Sequence, residues 1–385
     1  MATRRTFLRK TAASGTGGIV ASGAAPAFAK RWVAKNGITM AQAWAVHRKC
    51  LIIDGHNDTP VERVARNENP INWMRKDMSY HTDIPRMKGN GQQYTAFMII
   101  GDGPIANVWI TAERIMKQIE LNPKAAVKVL SSRDAVQAGK AGKAGIILSI
   151  EGAAKWLEGR IETLHIFYRL GVRLVGITHG EGGEDPGNLQ GSQSLYRLCT
   201  MAERDADRKN AVGLTPFGME VLKAENELGI VTDTAHINDK AFYEVMEHST
   251  RPPIMSHTGV FALCRHARCL TDDQIKALAA KGGVMGIAFA PMVIDADPQK
   301  ATLDRVVDHI LYAADLAGID SVGIGTDYDG MGDTIPVVPE VSQLVNLTRA
   351  MLARGLTEKE IIKVWGGNFL RVMRKTIDQP GKREA

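Results

Sequence analysis

A chain of 385 residues, 44% hydrophobic and 23% charged, has ample material for a large core, which excludes a disordered or low-complexity class. Its formal charge is +6, but Arg4, Arg5, Arg9 and Lys10 all lie within the first 29 residues, with no acid among them, so the rest carries only +2. Without a clustered basic face, binding of nucleic acid by counterion release is excluded, and no later run approaches the roughly 20 apolar residues of a membrane span.

The chain opens with Arg4-Arg5, then Phe7-Leu8, a weakly apolar Gly/Ala/Ser stretch and Ala27-Phe28-Ala29. That order reads as a twin-arginine signal over 1–29, cleaved after Ala29, which makes the export machinery a partner and the periplasm or another exported location the destination. No cysteine lies near the cleavage site, so neither a lipid anchor nor stable membrane insertion is expected. Residues 30–385 read as one domain, without repeats or long linkers. Cys50, Cys199, Cys264 and Cys269 form no CxxC pair and are expected mostly as buried thiols.

Eight short apolar runs then alternate with helical segments, at 51–54, 96–100, 145–150, 173–177, 230–232, 253–255, 283–288 and 321–325. Alternation of this kind predicts parallel strands with crossover helices, and eight of them predict a closed (β/α)8 TIM barrel. Between the runs, Thr215-Pro216 opens a helix that Gly229 closes, Thr271 opens one ending at Gly282, and Thr357 opens a late one through Val364.

Polar residues fall just after the runs. His56 and Asp58 follow the first, Glu151 the third, His179 the fourth, His236 the fifth, His257 the sixth and Asp327 the eighth. In a barrel these positions share the C-terminal rim, where catalytic groups gather. Taken singly, each has a bland explanation: a hydrogen-bonded His–Asp pair, a salt-bridged Glu, a satisfied core histidine. Together they form a mixed imidazole and carboxylate set suited to zinc or a similar ion, in which His56 and Asp58, two apart on a strand end, point the same way. A buried Glu151 could offer one oxygen to each of two cations. Asp327 is placed to bind metal and take a proton from water; Asp329, its rival, lies beside Gly330 and suits a turn.

Several spaced motifs resemble the renal-type, or membrane, dipeptidases of the amidohydrolase superfamily. They are DGHND at 54–58, SIEG at 149–152, the stretch 213–236, SHTGV at 256–260, GIGTDYDG at 323–330 and GGNFLRV at 366–372. The resemblance implies a binuclear zinc hydrolase that cleaves dipeptides. It assigns His56 and Asp58 to one zinc, His236 and His257 to the other, and Glu151 to both. It also implies that Asp327 handles the water's proton, that His179 steadies the scissile carbonyl and that Arg268 grips the substrate carboxylate. Two departures touch the substrate pocket: an acidic, glycine-rich segment at 180–188, and Cys269 where asparagine is usual. An amidase, lactonase or deaminase, or a binding protein without turnover, are the competing readings; the assembly, a homodimer being one form, is left open.

Overall fold

The computed structural model describes residues 32–66, 72–101, 105–185 and 187–381, and the signal read at 1–29 lies outside them. Nine parallel strands are β1 (Leu51–Asn57), β2 (Gln93–Ile99), β3 (Ala126–Lys128), β4 (Ala144–Ile150), β5 (Val172–Gly176), β6 (Val231–Asp233), β7 (Ile254–Thr258), β8 (Val284–Ile287) and β9 (Val322–Ile324). Their order is β2-β1-β9-β8-β7-β6-β5-β4-β3, and an extra pairing of β2 with β4 closes eight of them into a ring. Each of the eight overlaps one run read from the sequence, so the TIM barrel is the observed fold.

β3 was not anticipated. It pairs with the lower half of β4, Ala126 opposite Ala144 and Val127 opposite Gly145, while β5 takes the upper half. Three residues ending in a lysine leave no periodicity to read.

Inside the ring, Ile53, Phe97, Ile147, Leu174, Val231, Ile254 and Val284 form a contiguous buried layer, one residue from each of seven strands. Phe369 fills it from below. A side chain at Gly323 or Gly55 would meet the Phe369 ring at 2.5 or 2.8 Å, so both strands stay bare where the ring enters. The late helix differs from expectation. Thr357 caps Glu358–Ile362, but Lys363–Gly367 is a π turn before Asn368–Thr376. Gly366 there lies so close to β1 that a Cβ would sit 2.0 Å from the Leu51 carbonyl, and Asn368 Nδ2 donates to the Ile319 and Val322 carbonyls at 2.7 Å each. The GGNF motif thus plugs the floor of the barrel and leaves its other end to the chemistry.

The helices expected after Thr215 and Thr271 are present, Pro216–Leu228 ending on Gly229 in the left-handed region (φ 77°) and Asp272–Ala280. All four cysteines are buried free thiols. Among the described residues no helix is long and apolar enough to cross a membrane.

One buried acid couples this scaffold to pH. Glu225, on the helix Pro216–Leu228, accepts a hydrogen bond from Thr232 Oγ1 at 2.6 Å, yet burial, with the nearby charge of Asp233, raises its pKa to about 8. The unfolded chain releases this proton near pH 4.5 and the fold near pH 8, so stability falls as pH rises between them and levels off above. Glu225→Gln is expected to remove that loss, worth a few kcal/mol. Thermal melts across this pH range should show a smaller fall in Tm for the variant than for the parent.

Candidate active site

The seam between β1 and β9 is tied by a buried carboxylate. Asp54 accepts hydrogen bonds from Thr326 N (2.7 Å), Thr326 Oγ1 (2.8 Å), Tyr94 Oη (2.5 Å) and His56 N (3.3 Å). The seam continues upward, with Asp327 N donating to the His56 carbonyl at 3.1 Å and Asp58 N to the Tyr328 carbonyl at 2.8 Å. Two loops that would otherwise move independently are thereby held in one register.

His56 Nε2 lies 3.1 Å from Asp58 Oδ2, so the expected pair forms, but not by strand alternation. β1 ends at Asn57 and Asp58 has turned into the cap of the next helix (φ −96°, ψ 1°). Asp327 joins them: the ligand-type atoms of His56, Asp58 and Asp327 lie within 4.8 Å of one another. Asp327 adopts φ 59°, a left-handed conformation that L residues rarely hold and that clusters at functional sites. A Cβ on Gly330 would fall 2.2 Å from both Asp327 Oδ1 and Asp58 Oδ2, which explains the glycine after the acidic turn. Asp329 is occupied elsewhere, accepting from Thr59 Oγ1 and, at 3.1 Å, from His81 N.

Glu151, at the tip of β4, is the hub. Its Oε1 lies 3.1 Å from His236 Nε2 and 3.6 Å from both His56 Nε2 and His257 Nε2. His236 and His257 face each other with Nε2 atoms 2.9 Å apart. His236 is also left-handed (φ 65°), while Ser256 Oγ, 2.8 Å from His257 Nδ1, sets that ring. Asp233 reaches within 4.8 Å of His56 and His257, yet its Oδ1 is taken by Ala235 N (3.0 Å) and Ser256 N (2.8 Å), so it orients the β6 and β7 tips. His179 Nε2 lies 3.8 Å from Glu151 Oε2, on the open side.

Electrostatics explain what such a cluster would hold. Burial opposes charge on His56, but Glu151, Asp58 and Asp327 outweigh it and raise its pKa to about 10. His257 goes the other way, held well below 6.5 by burial and by the positive charge of His56 and Arg268. The carboxylates therefore demand a cation, which the protein alone supplies as a proton on His56. Three imidazole nitrogens and several carboxylate oxygens at this spacing are the donor set of a divalent metal centre, and metal binding there would release that proton.

A cleft of about 540 Å³, counting its open mouth, leads to the cluster and is lined by His179, His236, His257 and Asp327 together with Arg268 and Tyr196. Arg268 is only 7% exposed, donates from Nη2 to the His257 carbonyl at 3.3 Å and has no ion pair among the described residues. A buried guanidinium in that state suits an anionic group of a ligand. Its loop is clamped from behind by Arg204, which donates to the Cys269 carbonyl (2.6 Å) and grips Asp239 bidentately (2.8 Å each).

The unusual 180–188 segment folds back on its own start. Glu181 accepts from His179 N at 2.9 Å, and its carbonyl accepts from Thr178 Oγ1 (2.7 Å) and Gln190 Nε2 (3.0 Å). Its first acidic residue thus fixes the His179 turn. The structure brings together every site residue read from the sequence, with Arg268 lining the cleft that leads to the cluster. Asp54, Asp233, Tyr196 and Arg204 were missed. Asp54 and Asp233 precede His56 and His236 within the same motifs and could have been found there; Tyr196 and Arg204 carry no local signal.

Known proteins match this chain in fold and along much of its sequence. The dipeptidase tcpJ of Claviceps purpurea (strain 20.1) is 31% identical over 245 residues, covering 64% of this chain and 54% of the relative, so the chain spans about half the length of the curated relative it matches. A metallo peptidase from Rhodobacter sphaeroides, solved with a phosphinate mimic of the dipeptide L-Ala-D-Ala, shares the fold with a TM-score of 0.75 at 23% identity, over 85% of this chain and 99% of that one. The probable dipeptidase PvdM from Pseudomonas aeruginosa does so with a TM-score of 0.73 at 21% identity, over 88% and 98%. The model of the membrane dipeptidases, peptidase family M19, matches residues 40–383, nearly the whole described barrel, and the chain belongs to that family.

Proposed function

We propose that this chain is a zinc-dependent dipeptidase with two metal ions, one held by His56 and Asp58 and the other by His236 and His257, with Glu151 between them and Asp327 beside the first. The observation that carries the proposal is the convergence of three imidazole Nε2 atoms on Glu151 Oε1 within 3.6 Å, in a cleft that also presents Arg268, whose guanidinium has no ion pair among the described residues. When bound, the ions would supply Lewis-acid polarisation of the peptide carbonyl and a lowered pKa for the attacking water. Arg268 grips the terminal carboxylate and sets the scissile bond over the cluster. Asp327 takes the water's proton and returns it to the leaving amine. His179, on the open side, donates a hydrogen bond to the carbonyl oxygen as charge develops there. The dipeptide-mimic complex of the Rhodobacter sphaeroides relative supports a ligand of this size in a barrel of this shape.

Export through the twin-arginine machinery, with loss of 1–29, is part of the proposal and rests on Arg4-Arg5 and Ala27-Phe28-Ala29. The test combines metal analysis of the mature chain with assays on dipeptides, N-acyl amino acids and lactones. About two zinc equivalents, activity lost to a chelator and restored by zinc, and a preference for dipeptides are the expected results. Metal uptake with hydrolysis of none of these would replace the enzyme with a binding protein.

A further inference from the structure

A side-chain preference rests on the proposed function, which fixes the two ends of a bound dipeptide: the carboxylate at Arg268, the scissile carbonyl at the Glu151 cluster. The C-terminal residue must then lie in the cleft between them, and apart from the residues already assigned the lining is mostly apolar. Tyr196, with its ring parallel to that of His236 (interplanar angle 7°, centroids 6.0 Å apart), is part of that lining. The loop after β8, with the short helix Pro291–Ile294 it runs into, supplies Ala288, Ala290, Met292 and Val293 to the same lining.

That loop is fastened along its length. Ala288 N donates to the Thr258 carbonyl (2.9 Å), Phe289 N to the Thr326 carbonyl (3.3 Å), and Val337 N to the Phe289 carbonyl (2.9 Å). His309 Nε2 bonds the Ile294 carbonyl at 2.9 Å. Behind the wall, Cys264 Sγ donates to the Met292 carbonyl and Cys269 Sγ to the Val293 carbonyl, both at 3.3 Å. Phe261, Cys264, Cys269 and Met331 pack against Ala288, Ala290 and Val293 as one buried apolar cluster. Cys269, the residue that departs from the family's pattern, therefore serves the back of this wall. A wall backed this way offers apolar side chains to the cleft and keeps the backbone groups named above hydrogen-bonded elsewhere.

Among the described residues that line the cleft, the groups able to carry charge near neutral pH are Arg268, Asp327, His179, His236 and His257, each assigned by the proposed function to the backbone of the dipeptide or to the metal centre, and Tyr196 adds a phenol hydroxyl but no formal charge. None is left for a charged side chain, and burying one without a partner costs free energy that an apolar side chain gains.

We infer that the cleft selects dipeptides whose C-terminal residue carries an uncharged, apolar side chain, and rejects those ending in an acidic or basic residue. The test is a series Ala-X on the metal-loaded mature protein, with X as Ala, Val, Met, Asp or Lys in both configurations. The apolar members should exceed Asp and Lys by at least about tenfold in kcat/KM, with most of the difference in KM. Ala290→Asp, which sets a carboxylate into the wall, should raise Lys relative to Asp by a similar factor. Equal kcat/KM for charged and apolar members of the parent series, within about threefold, would overturn the selectivity while leaving the dipeptidase intact. Hydrolysis of no member at all would instead overturn the dipeptidase reading and the inference with it.

Discussion

For the proposed two-metal centre, Glu151→Gln is expected to cost on the order of 10³-fold or more in kcat and to lower the metal content of the purified protein from the proposed two equivalents to about one. The amide keeps the shape of the side chain but offers one acceptor oxygen where the carboxylate offers two. Glu151 Oε1 sits within 3.6 Å of three imidazole nitrogens and Oε2 lies 3.8 Å from His179 Nε2, so each oxygen faces a different part of the site. The substitution also removes the charge that contributes most to holding a proton on His56, whose pKa should fall from about 10 toward the ordinary histidine range. Elemental analysis with steady-state kinetics reads the first effect, and NMR titration of the metal-free protein reads the second. Stability should not collapse, because a buried carboxylate with its cation removed is a burden on the fold that the neutral amide relieves. A variant that kept both metals and stayed within about tenfold of parental activity would remove Glu151 from the centre of the mechanism.

What could be read in advance obeys a physical division. The eight barrel strands were legible because a parallel strand covered on both faces is a continuous apolar run, as in 145–150, and because a helix with Thr and Pro at its start announces itself. The clustering of the candidate ligands was legible because the barrel converts a position in sequence, just after a strand, into a position in space. His56 and Asp58 show the limit of local reasoning: they meet at 3.1 Å, but by Asp58 leaving the strand rather than by continuing it. Tyr196, Arg204 and the wall at 288–293 were invisible, since their residue types are ordinary and their roles are set by partners distant in sequence, 35 residues away for Arg204 and Asp239 and 24 for Val293 and Cys269. The π turn at 363–367 was hidden for the same reason, being imposed by the fit of Gly366 against Leu51.

Arg268→Met should show what the cleft is built to recognise. In the parent, amidation of a dipeptide's C-terminus is expected to lower kcat/KM by about 10²- to 10³-fold, because it removes the charge that a buried guanidinium faces. In the variant the free-carboxylate dipeptide should fall by a similar factor, carried mainly by KM, while amidation should then cost little more. Such a cycle isolates the pairing itself from any general damage to the pocket. Arg268→Lys keeps the charge but loses the planar fork, so an intermediate loss, about tenfold, is expected. The same residue carries a cost in the free protein: it is 7% exposed, with a carbonyl at 3.3 Å and no carboxylate partner among the described residues. Methionine in its place should therefore raise Tm even as it removes substrate binding, and dipeptide should protect the parent against heat but not the variant. A variant that lost activity and stability together would mark Arg268 as a packing residue. Loss of affinity with a gain in stability is the signature of a cation kept unpaired for its ligand.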